Sequence, residues 1–285
     1  MTRRVGLLGN PLKRRHSVVM HNAAFAAAGI DARYELLELE PEAVEGAVAA
    51  ARGPDWLGLG VTAPYKRLVA GLCDEVEADA TTIGAVNNVA KAAGARLVGF
   101  NSDAPGFRAA VELAMGRPLA GTEVVVAGAG GAAHAVVFAC LGGGVRRLTI
   151  GNRTLPSATA LAKRFAGVGG GTVAAVALDD LAFTAALGSA DLAVNATTVG
   201  MLDPGMTIAV ETLPAGATVF DLVYVPRETP LLAAARARNL RAANGSEMLV
   251  QQAAIAFERW TGVAGMADVM REAVAPLLAD PTVVA

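Results

Sequence analysis

Two oppositely charged residues, Lys66 and Asp103, each stand just past the C-terminal end of a predicted strand, Trp56 to Val61 and Arg96 to Phe100. In open α/β sheets, ligands bind at that end of the strands. A lysine ammonium beside a carboxylate is held in place by it and can give a proton to a developing alkoxide. Taken alone, such a pair is more often a surface ion pair.

A glycine-rich turn joins a strand to a helix in the middle of the chain. Glu123 to Ala127 is short, apolar and β-branched, which predicts a buried strand, and the alanine-rich run Ala132 to Leu141 predicts a helix. Between them, Gly128, Gly130 and Ala133 fit the G-x-G-x-x-A pattern. In this context the turn favours a dinucleotide, whose pyrophosphate would lie at the helix N-terminus. The alternative is an ordinary glycine-rich turn.

The next predicted strand, Arg147 to Gly151, indicates which dinucleotide is bound. An NAD enzyme usually has Asp or Glu at its end to hold the ribose 2′-hydroxyl. This chain has Asn152, Arg153 and Thr154 instead. A guanidinium can bind a phosphate through two parallel hydrogen bonds. The predicted cofactor is therefore NADP, unless Arg153 is only a solvated surface residue.

Composition excludes several function classes. The 285 residues carry a net charge of −2 without a basic run, which argues against nucleic acid as a partner. The hydrophobic fraction of 54% is broken throughout by Gly, Pro and charges, so neither a membrane span nor a signal peptide is expected. Cys73 and Cys140 lack metal-ligand spacing and suit a reducing cytoplasm, so we expect a cytoplasmic protein without a metal.

The first hundred residues alternate strands and helices and therefore predict one α/β domain. Ser17 is expected to cap the first helix. The predicted strands are Arg4 to Gly9, Tyr34 to Leu39, Trp56 to Val61, and a hairpin of Gly84 to Ala90 with Arg96 to Phe100. The predicted helices are Val18 to Ala28, Pro41 to Ala51 and Asp74 to Thr82.

The second half predicts a doubly wound sheet of the Rossmann type, entered through a helix from Pro105 to Met115. Beyond Arg153 the predicted strands are Val173 to Ala177, Asp191 to Ala196, Ala217 to Leu222 and, weakly, Leu240 to Ala243. Two helices, about 247–260 and 266–279, end the chain.

An ordered series of short motifs resembles the shikimate dehydrogenase family over nearly the whole chain. The series is G-N-P (9–11), H-S-x-x-x-H-N (16–22), V-T-A-P-Y-K (61–66), G-A-V-N-N (84–88), N-S-D (101–103), G-A-G-G-A (128–132), N-R-T (152–154), N-A-T-T-V-G-M (195–201), D-L-V-Y-x-P-x-x-T-P-L-L (221–232) and M-L-V-x-Q-A (248–253).

The resemblance implies an N-terminal α/β substrate domain, residues 1–104, and a Rossmann-type NADP-binding domain, residues 105–242. It also implies C-terminal helices, residues 243–285, that return to the first domain. It implies hydride transfer between NADP(H) and shikimate or 3-dehydroshikimate, hence a role in aromatic amino acid biosynthesis. The expected partner is a small hydroxy acid, and the expected assembly is a monomer or homodimer.

The resemblance also assigns roles to matching positions. Lys66 and Asp103 become the catalytic pair. The acid would be bound by Ser17, Thr62, Asn87, Tyr224 and Gln252. The cofactor would be bound by Gly128, Ala129, Gly130, Gly131, Ala132, Asn152, Arg153, Thr154, Thr197, Met201 and Gly245.

The chain departs from the family pattern at the end that should bind the carboxylate. Arg15 stands where the family has a first serine, and Gly60 stands where it has an asparagine. We expect Arg15 to pair with the carboxylate and Gly60 to leave a small void. Ser102 replaces a threonine and Ser157 replaces a second arginine, so a single guanidinium would clamp the 2′-phosphate.

These departures leave three functions open. The first is an NADP-dependent dehydrogenase of shikimate or a close analogue. The second is a quinate- or aminoshikimate-type dehydrogenase of catabolism or secondary metabolism. The third is a non-catalytic nucleotide-binding protein, against which the presence of both Lys66 and Asp103 argues.

Overall fold

The computed structural model describes residues 2–12 and 15–279. The chain divides into two compact units. One contains the described residues up to Ser102 and those from Val250 onward, and the other runs from Asp103 to Leu249. Among the described residues, no helix is long and apolar enough to cross a membrane.

The first unit is built on a six-stranded mixed sheet. Its strands are β1 (Arg3–Gly9), β2 (Ala32–Glu38), β3 (Trp56–Val61), β4 (Glu75–Val76), β5 (Asn88–Lys91) and β6 (Leu97–Phe100). They lie in the order β2-β1-β3-β5-β6-β4. The sheet is parallel from β2 to β3, whereas β5 runs antiparallel to both β3 and β6.

Among the described residues, four helices lie in the N-terminal part of this unit, and two more lie toward the C-terminal end. They are α1 (His16–Ala27), α2 (Pro41–Ala50), α3 (Lys66–Ala70), α4 (Ala78–Ile83), α10 (Ser246–Thr261) and α11 (Ala267–Ala279). The C-terminal helices pack on this unit: α11 packs against α1, and Trp260 of α10 donates a hydrogen bond from Nε1 to the Val89 carbonyl at 3.0 Å. A β-carbon at Gly58 would lie 2.6 Å from the Trp260 ring, so glycine there admits the indole.

Two local predictions in this unit are wrong. The sequence predicts a single helix over residues 74–82, but Glu75–Val76 forms a strand parallel to β6 and the helix covers only Ala78–Ile83. The Asp74 carboxylate accepts hydrogen bonds from the Leu97 N–H at 2.7 Å and from the Arg52 guanidinium, which holds this segment against β6. The strand predicted from Gly84 to Ala90 starts too early. Gly84 ends α4 in a left-handed conformation with φ of 78°, and strand β5 begins only at Asn88.

The second unit is a six-stranded, wholly parallel sheet. Its strands are β7 (Glu123–Ala127), β8 (Arg147–Asn152), β9 (Thr172–Ala177), β10 (Leu192–Asn195), β11 (Thr218–Asp221) and β12 (Arg241–Asn244). The order β12-β11-β10-β7-β8-β9 is that of the doubly wound Rossmann sheet. Its helices are α5 (Asp103–Met115), α6 (Gly131–Gly142), α7 (Leu155–Arg164), α8 (Leu181–Leu187) and α9 (Pro230–Ala237).

Both cysteines are free thiols, and burial raises the pKa of each. Cys140 is fully buried on α6, whereas Cys73 is half-buried before β4. The pKa of Cys73 rises to about 11, because burial and the nearby Asp74 carboxylate both disfavour the thiolate.

Candidate active site

Lys66 is the first residue of α3, at the end of the segment that leaves β3. That segment is fixed by its backbone: the Thr62 N–H donates to the Leu8 carbonyl at 2.8 Å, and the Tyr65 N–H donates to the Thr62 carbonyl at 3.0 Å. The Tyr65 hydroxyl donates to the Leu39 carbonyl at 2.5 Å. These hydrogen bonds fix the backbone of the segment. Lys66 and Thr62 are both half-buried, so their side chains keep partial access to solvent.

Ser102 joins two of the predicted acid-binding residues, Asn87 and Gln252. Its hydroxyl accepts hydrogen bonds from Asn87 Nδ2 at 3.1 Å and from Asn88 Nδ2 at 2.8 Å, and it donates to Gln252 Oε1 at 3.3 Å. Asn87 Oδ1 accepts from the Ser102 N–H at 2.8 Å and from Asn88 Nδ2 at 2.9 Å. Ser102 is fully buried and immediately precedes Asp103, the first residue of α5. Sequence reasoning missed this role for Ser102 and Asn88, although both lie in quoted motifs.

The N-terminus of α1 differs from the prediction. Arg15 occupies the N-cap position, and Ser17 lies inside the first turn rather than capping the helix. Arg15 is exposed and Ser17 is half-buried. The basic residues Lys13 and Arg14 beside them lie outside the described residues.

The expectation of a void at Gly60 is wrong. A β-carbon at Gly60 would lie 2.4 Å from the hydroxyl oxygen of Tyr34, so the phenol occupies the space that a side chain would need. Tyr34 is 4% exposed, and its ring stacks on His21 with a centroid separation of 4.4 Å. His21 is itself buried, and burial lowers its pKa to about 3. The motif histidine is therefore a neutral core residue.

In the second unit, the glycine loop lies at the point where the strand order reverses, between β7 and β10. Gly128 has φ of 113°, and a β-carbon there would come within 2.8 Å of Thr197, so glycine lets the two loops approach closely. Apart from the adjacent residues and the backbone of α6 itself, no atom of the described residues lies within 4 Å of a β-carbon built on Gly130 or Gly131. The N-terminus of α6 therefore opens onto free space, as a bound pyrophosphate requires.

Helix α6 packs closely on the sheet below this opening. Ala133, the third position of the pattern, is completely buried, whereas Ala129 and Ala132 beside the opening remain accessible. The first turn of α6 contains no acidic residue, so its N-terminal partial charge is not neutralised locally.

Arg153 follows β8, as predicted, and is exposed. Asn152 Nδ2 donates to the Thr154 carbonyl at 3.0 Å, which orders the turn around the arginine, and Thr154 is the N-cap of α7. An accessible guanidinium at this strand end fits the 2′-phosphate of NADP.

The remaining predicted residues of this unit lie at the carboxyl ends of neighbouring strands. Thr197 and Met201 follow β10, Tyr224 follows β11, and Gly245 follows β12. A β-carbon at Gly245 would lie 2.3 Å from the Leu222 carbonyl oxygen, so glycine is required there by close backbone approach.

A buried polar network supports these loops, and the sequence did not predict it. Asn195 and Asp221, the last residues of β10 and β11, are directly paired in register, and Asn195 Nδ2 donates to Asp221 Oδ1 at 2.9 Å. Burial raises the pKa of the Asp221 carboxyl, and hydrogen bonds from Thr229, Val223 and Asn195 oppose that rise.

A wholly parallel, doubly wound sheet with an open glycine loop at its switch point defines the second unit as a dinucleotide-binding domain. Three family models match the chain. They are the shikimate dehydrogenase substrate binding domain over residues 7–89, shikimate / quinate 5-dehydrogenase over residues 111–227, and the shikimate 5′-dehydrogenase C-terminal domain over residues 245–275.

Individual relatives agree with these models. The shikimate dehydrogenase (NADP(+)) of Methanopyrus kandleri is 41% identical over 273 residues, which is 95% of this chain and 94% of the relative. The crystal structure of shikimate 5-dehydrogenase from Thermus thermophilus in complex with NADP(H) and shikimate matches with a TM-score of 0.83 at 36% identity, over 96% of this chain and 99% of that one. Quinate dehydrogenase from Corynebacterium glutamicum in complex with NAD matches with a TM-score of 0.89 at 33% identity, over 96% and 99%.

This chain belongs to the shikimate dehydrogenase family. The predicted family and fold class are thereby confirmed. The individual site residues stay predictions, and their roles are proposed below.

Proposed function

We propose that this protein is an NADP-dependent dehydrogenase that transfers a hydride between NADP(H) and the shikimate/3-dehydroshikimate pair. The observation that carries the proposal is the joint presence of an open glycine loop and an exposed arginine after β8, in a chain that matches a family member over 95% of its length. Curated relatives such as that of Methanopyrus kandleri carry the same NADP specificity in their names, which supports NADP over NAD.

We assign cofactor binding to the second unit. The N–H groups at the start of α6, around Gly130 to Ala132, would bind the pyrophosphate, because these exposed residues lie at the positive end of the helix. Arg153, with Asn152 and Thr154 ordering its turn, would bind the 2′-phosphate. When bound, NADP(H) supplies or accepts the hydride.

We assign recognition of the acid to residues of the first unit. Tyr224, which follows β11, keeps the acid-binding role that the family resemblance implies. Ser17, Thr62, Asn87 and Gln252 offer hydroxyl and amide groups, which suit a polyhydroxylated carboxylic acid. The hydrogen bonds through Ser102 hold the Asn87 and Gln252 amides in fixed orientations. Arg15, which is exposed, adds a permanent cation that would pair with the carboxylate.

We assign proton transfer to Lys66. In reduction, the Lys66 ammonium donates a proton to the carbonyl oxygen as the hydride reaches the carbonyl carbon, so that a hydroxyl forms and lysine is left neutral. In oxidation, neutral lysine accepts the hydroxyl proton. Asp103 is the second catalytic residue and accepts a hydrogen bond from a ring hydroxyl of the acid.

Two free cysteines suit the cytoplasmic location that we propose.

Steady-state kinetics with shikimate and with quinate, each paired with NADP and with NAD, test the proposed function. We expect the highest kcat/KM for shikimate with NADP. A higher kcat/KM for quinate, or no turnover of either acid with either cofactor, would contradict the proposal.

A further inference from the structure

A single buried carboxylate connects the ends of two neighbouring strands in the second unit. Asp221 is completely buried, and Asn195, its partner in register on β10, is 1% exposed. The loops that begin after these two strands carry Thr197, which the family resemblance assigns to the cofactor, and Tyr224, which it assigns to the acid.

Both oxygens of the Asp221 carboxylate accept hydrogen bonds. Oδ1 accepts from Asn195 Nδ2 at 2.9 Å and from the Val223 N–H at 3.0 Å. Oδ2 accepts from the Thr229 hydroxyl at 2.6 Å. The carboxylate therefore binds both ends of the 222–229 segment, within which Tyr224 lies.

The amide of Asn195 passes this constraint to the neighbouring loop. Its Oδ1 accepts from the Thr197 N–H at 3.2 Å, from the Thr197 hydroxyl at 2.7 Å and from the Thr207 hydroxyl at 3.1 Å. Its Nδ2 also donates to the Val199 carbonyl at 3.1 Å. Asn195 thus holds both the start and the return of the loop that begins after β10.

The orientation of the Asn195 amide follows from the chemistry of Asp221. An ionised carboxylate only accepts hydrogen bonds, so the Asn195 amide must turn its NH₂ group toward Asp221. That orientation leaves Asn195 Oδ1 as the acceptor for Thr197 and Thr207. An asparagine at position 221 would no longer require Asn195 to donate, because either its own amide or that of Asn195 could then be the donor.

We propose that Asp221 is a positioning residue that fixes, through Asn195, the cofactor loop containing Thr197 and, through Val223 and Thr229, the acid-binding segment containing Tyr224. The inference rests on the proposed function. It predicts that one substitution, at a residue assigned to neither ligand, weakens the binding of both.

The test is Asp221→Asn, a change that preserves side-chain size. The KM for NADP and the KM for shikimate should both rise by about two- to thirtyfold, the range over which a residue acting through others alters binding. The dissociation constant for NADP alone, measured by calorimetric titration, should rise by a similar factor.

The matched control is Asp191→Asn, at the opposite end of β10. Asp191 also accepts a backbone hydrogen bond, from the Glu123 N–H at 2.8 Å, and one from Arg117 at 2.6 Å. Loss of the Asp191 carboxylate should lower the melting temperature but leave the KM for NADP and the KM for shikimate unchanged. If Asp191→Asn raises them as much as Asp221→Asn does, the effect is general destabilisation and the inference fails.

Thr207→Val provides a second variant in case Asp221→Asn does not fold. This nearly isosteric change removes one hydrogen bond to Asn195 Oδ1 and leaves the bonds to Val223 and Thr229 intact. It should raise the KM for NADP by roughly twofold or more and leave the KM for shikimate unchanged. If the wild type is active and Thr207→Val binds NADP as well as the wild type does, the inference is refuted. If the wild type itself binds no NADP, the proposed function is refuted.

Discussion

The contact between Gly60 and Tyr34 leads to a quantitative prediction. A β-carbon at residue 60 would lie 2.4 Å from the Tyr34 hydroxyl oxygen and 3.1 Å from Leu7 Cδ1. The phenol is confined, because its ring stacks on His21 and lies 6.0 Å from the Trp260 ring. Overpacking of this kind costs about 1–3 kcal/mol. Gly60→Ala should therefore lower the free energy of unfolding by an amount in this range.

Removing the phenol oxygen should remove most of that cost. In a Tyr34→Phe background, the tightest remaining contact of the new methyl group is Leu7 Cδ1, the end of a flexible side chain. Gly60→Ala should then be close to neutral. The double-mutant cycle should give a favourable coupling of about 1–3 kcal/mol, the size expected for residues in direct contact.

Urea denaturation of the four proteins at one pH measures the cycle. Gly46→Ala is the matched control, because Gly46 is an exposed residue of α2 and, apart from its neighbours and the backbone of α2, no atom in the described part of the chain lies within 4 Å of a β-carbon there. It should stabilise the protein by roughly 0.5–1 kcal/mol. If Gly60→Ala behaves like Gly46→Ala in the presence of Tyr34, the phenol does not fill the space beside residue 60.

Four further predictions concern the proposed site and the core. Lys66→Ala should lower kcat by roughly 10²–10⁴, with a much smaller change in the KM for the acid; near-normal kcat would exclude Lys66 as the proton donor. Arg153→Ala should reduce the kcat/KM preference for NADP over NAD by about 1.5–3 kcal/mol, and a wild type without that preference would contradict the assignment. Arg15→Ser should lower the KM for shikimate by roughly two- to tenfold, because an exposed ion pair contributes little and the new serine restores a hydroxyl that can donate to the carboxylate; an unchanged KM would place Arg15 away from the acid. Because the pKa of His21 is about 3 in the folded protein, stability should fall by roughly 1.4 kcal/mol per unit as pH drops from about 6.5 toward 3; His21→Phe should flatten that part of the pH profile, and an unchanged slope would show that other groups cause it.

The elements with strong local signals could be predicted from the sequence alone. Trp56–Val61 and Glu123–Ala127 have the predicted bounds, because each is an apolar strand bordered by residues that end it. The Rossmann order follows from the alternation of such strands with helices. Asn152 and Arg153 also lie where the strand pattern predicted, since a parallel strand delivers the residues after it to one edge of the sheet.

The errors arise where distant residues decide the local structure. Glu75–Val76 is a strand because it pairs with β6, which lies more than 20 residues further along the chain. Likewise, the void expected at Gly60 depended on Tyr34, two strands away in the sheet. Neither partner is visible in the local pattern, so periodicity could not reveal these contacts.

The hydrogen-bonding networks could not be predicted from the sequence for the same reason. Asp221 and Asn195 stand in motifs that the sequence displays, but a motif does not say which side chains face each other. Ser102 stands out in the sequence only as a mild replacement of threonine, whereas its hydroxyl holds Asn87 and Gln252. The residue types indicated which polar groups are present, whereas the hydrogen-bond partner of each group could be identified only from the three-dimensional structure.

The raised pKa values of the two native thiols have a practical consequence for spectroscopy. Maleimides and other thiol reagents react with the thiolate, which Cys73 and Cys140 rarely form near neutral pH. A cysteine introduced at an exposed position, such as Leu181 on α8, lacks the burial that disfavours the two native thiolates and should react far faster. The natural chain is thus suited to site-specific attachment of a fluorophore or spin label without first replacing its own cysteines.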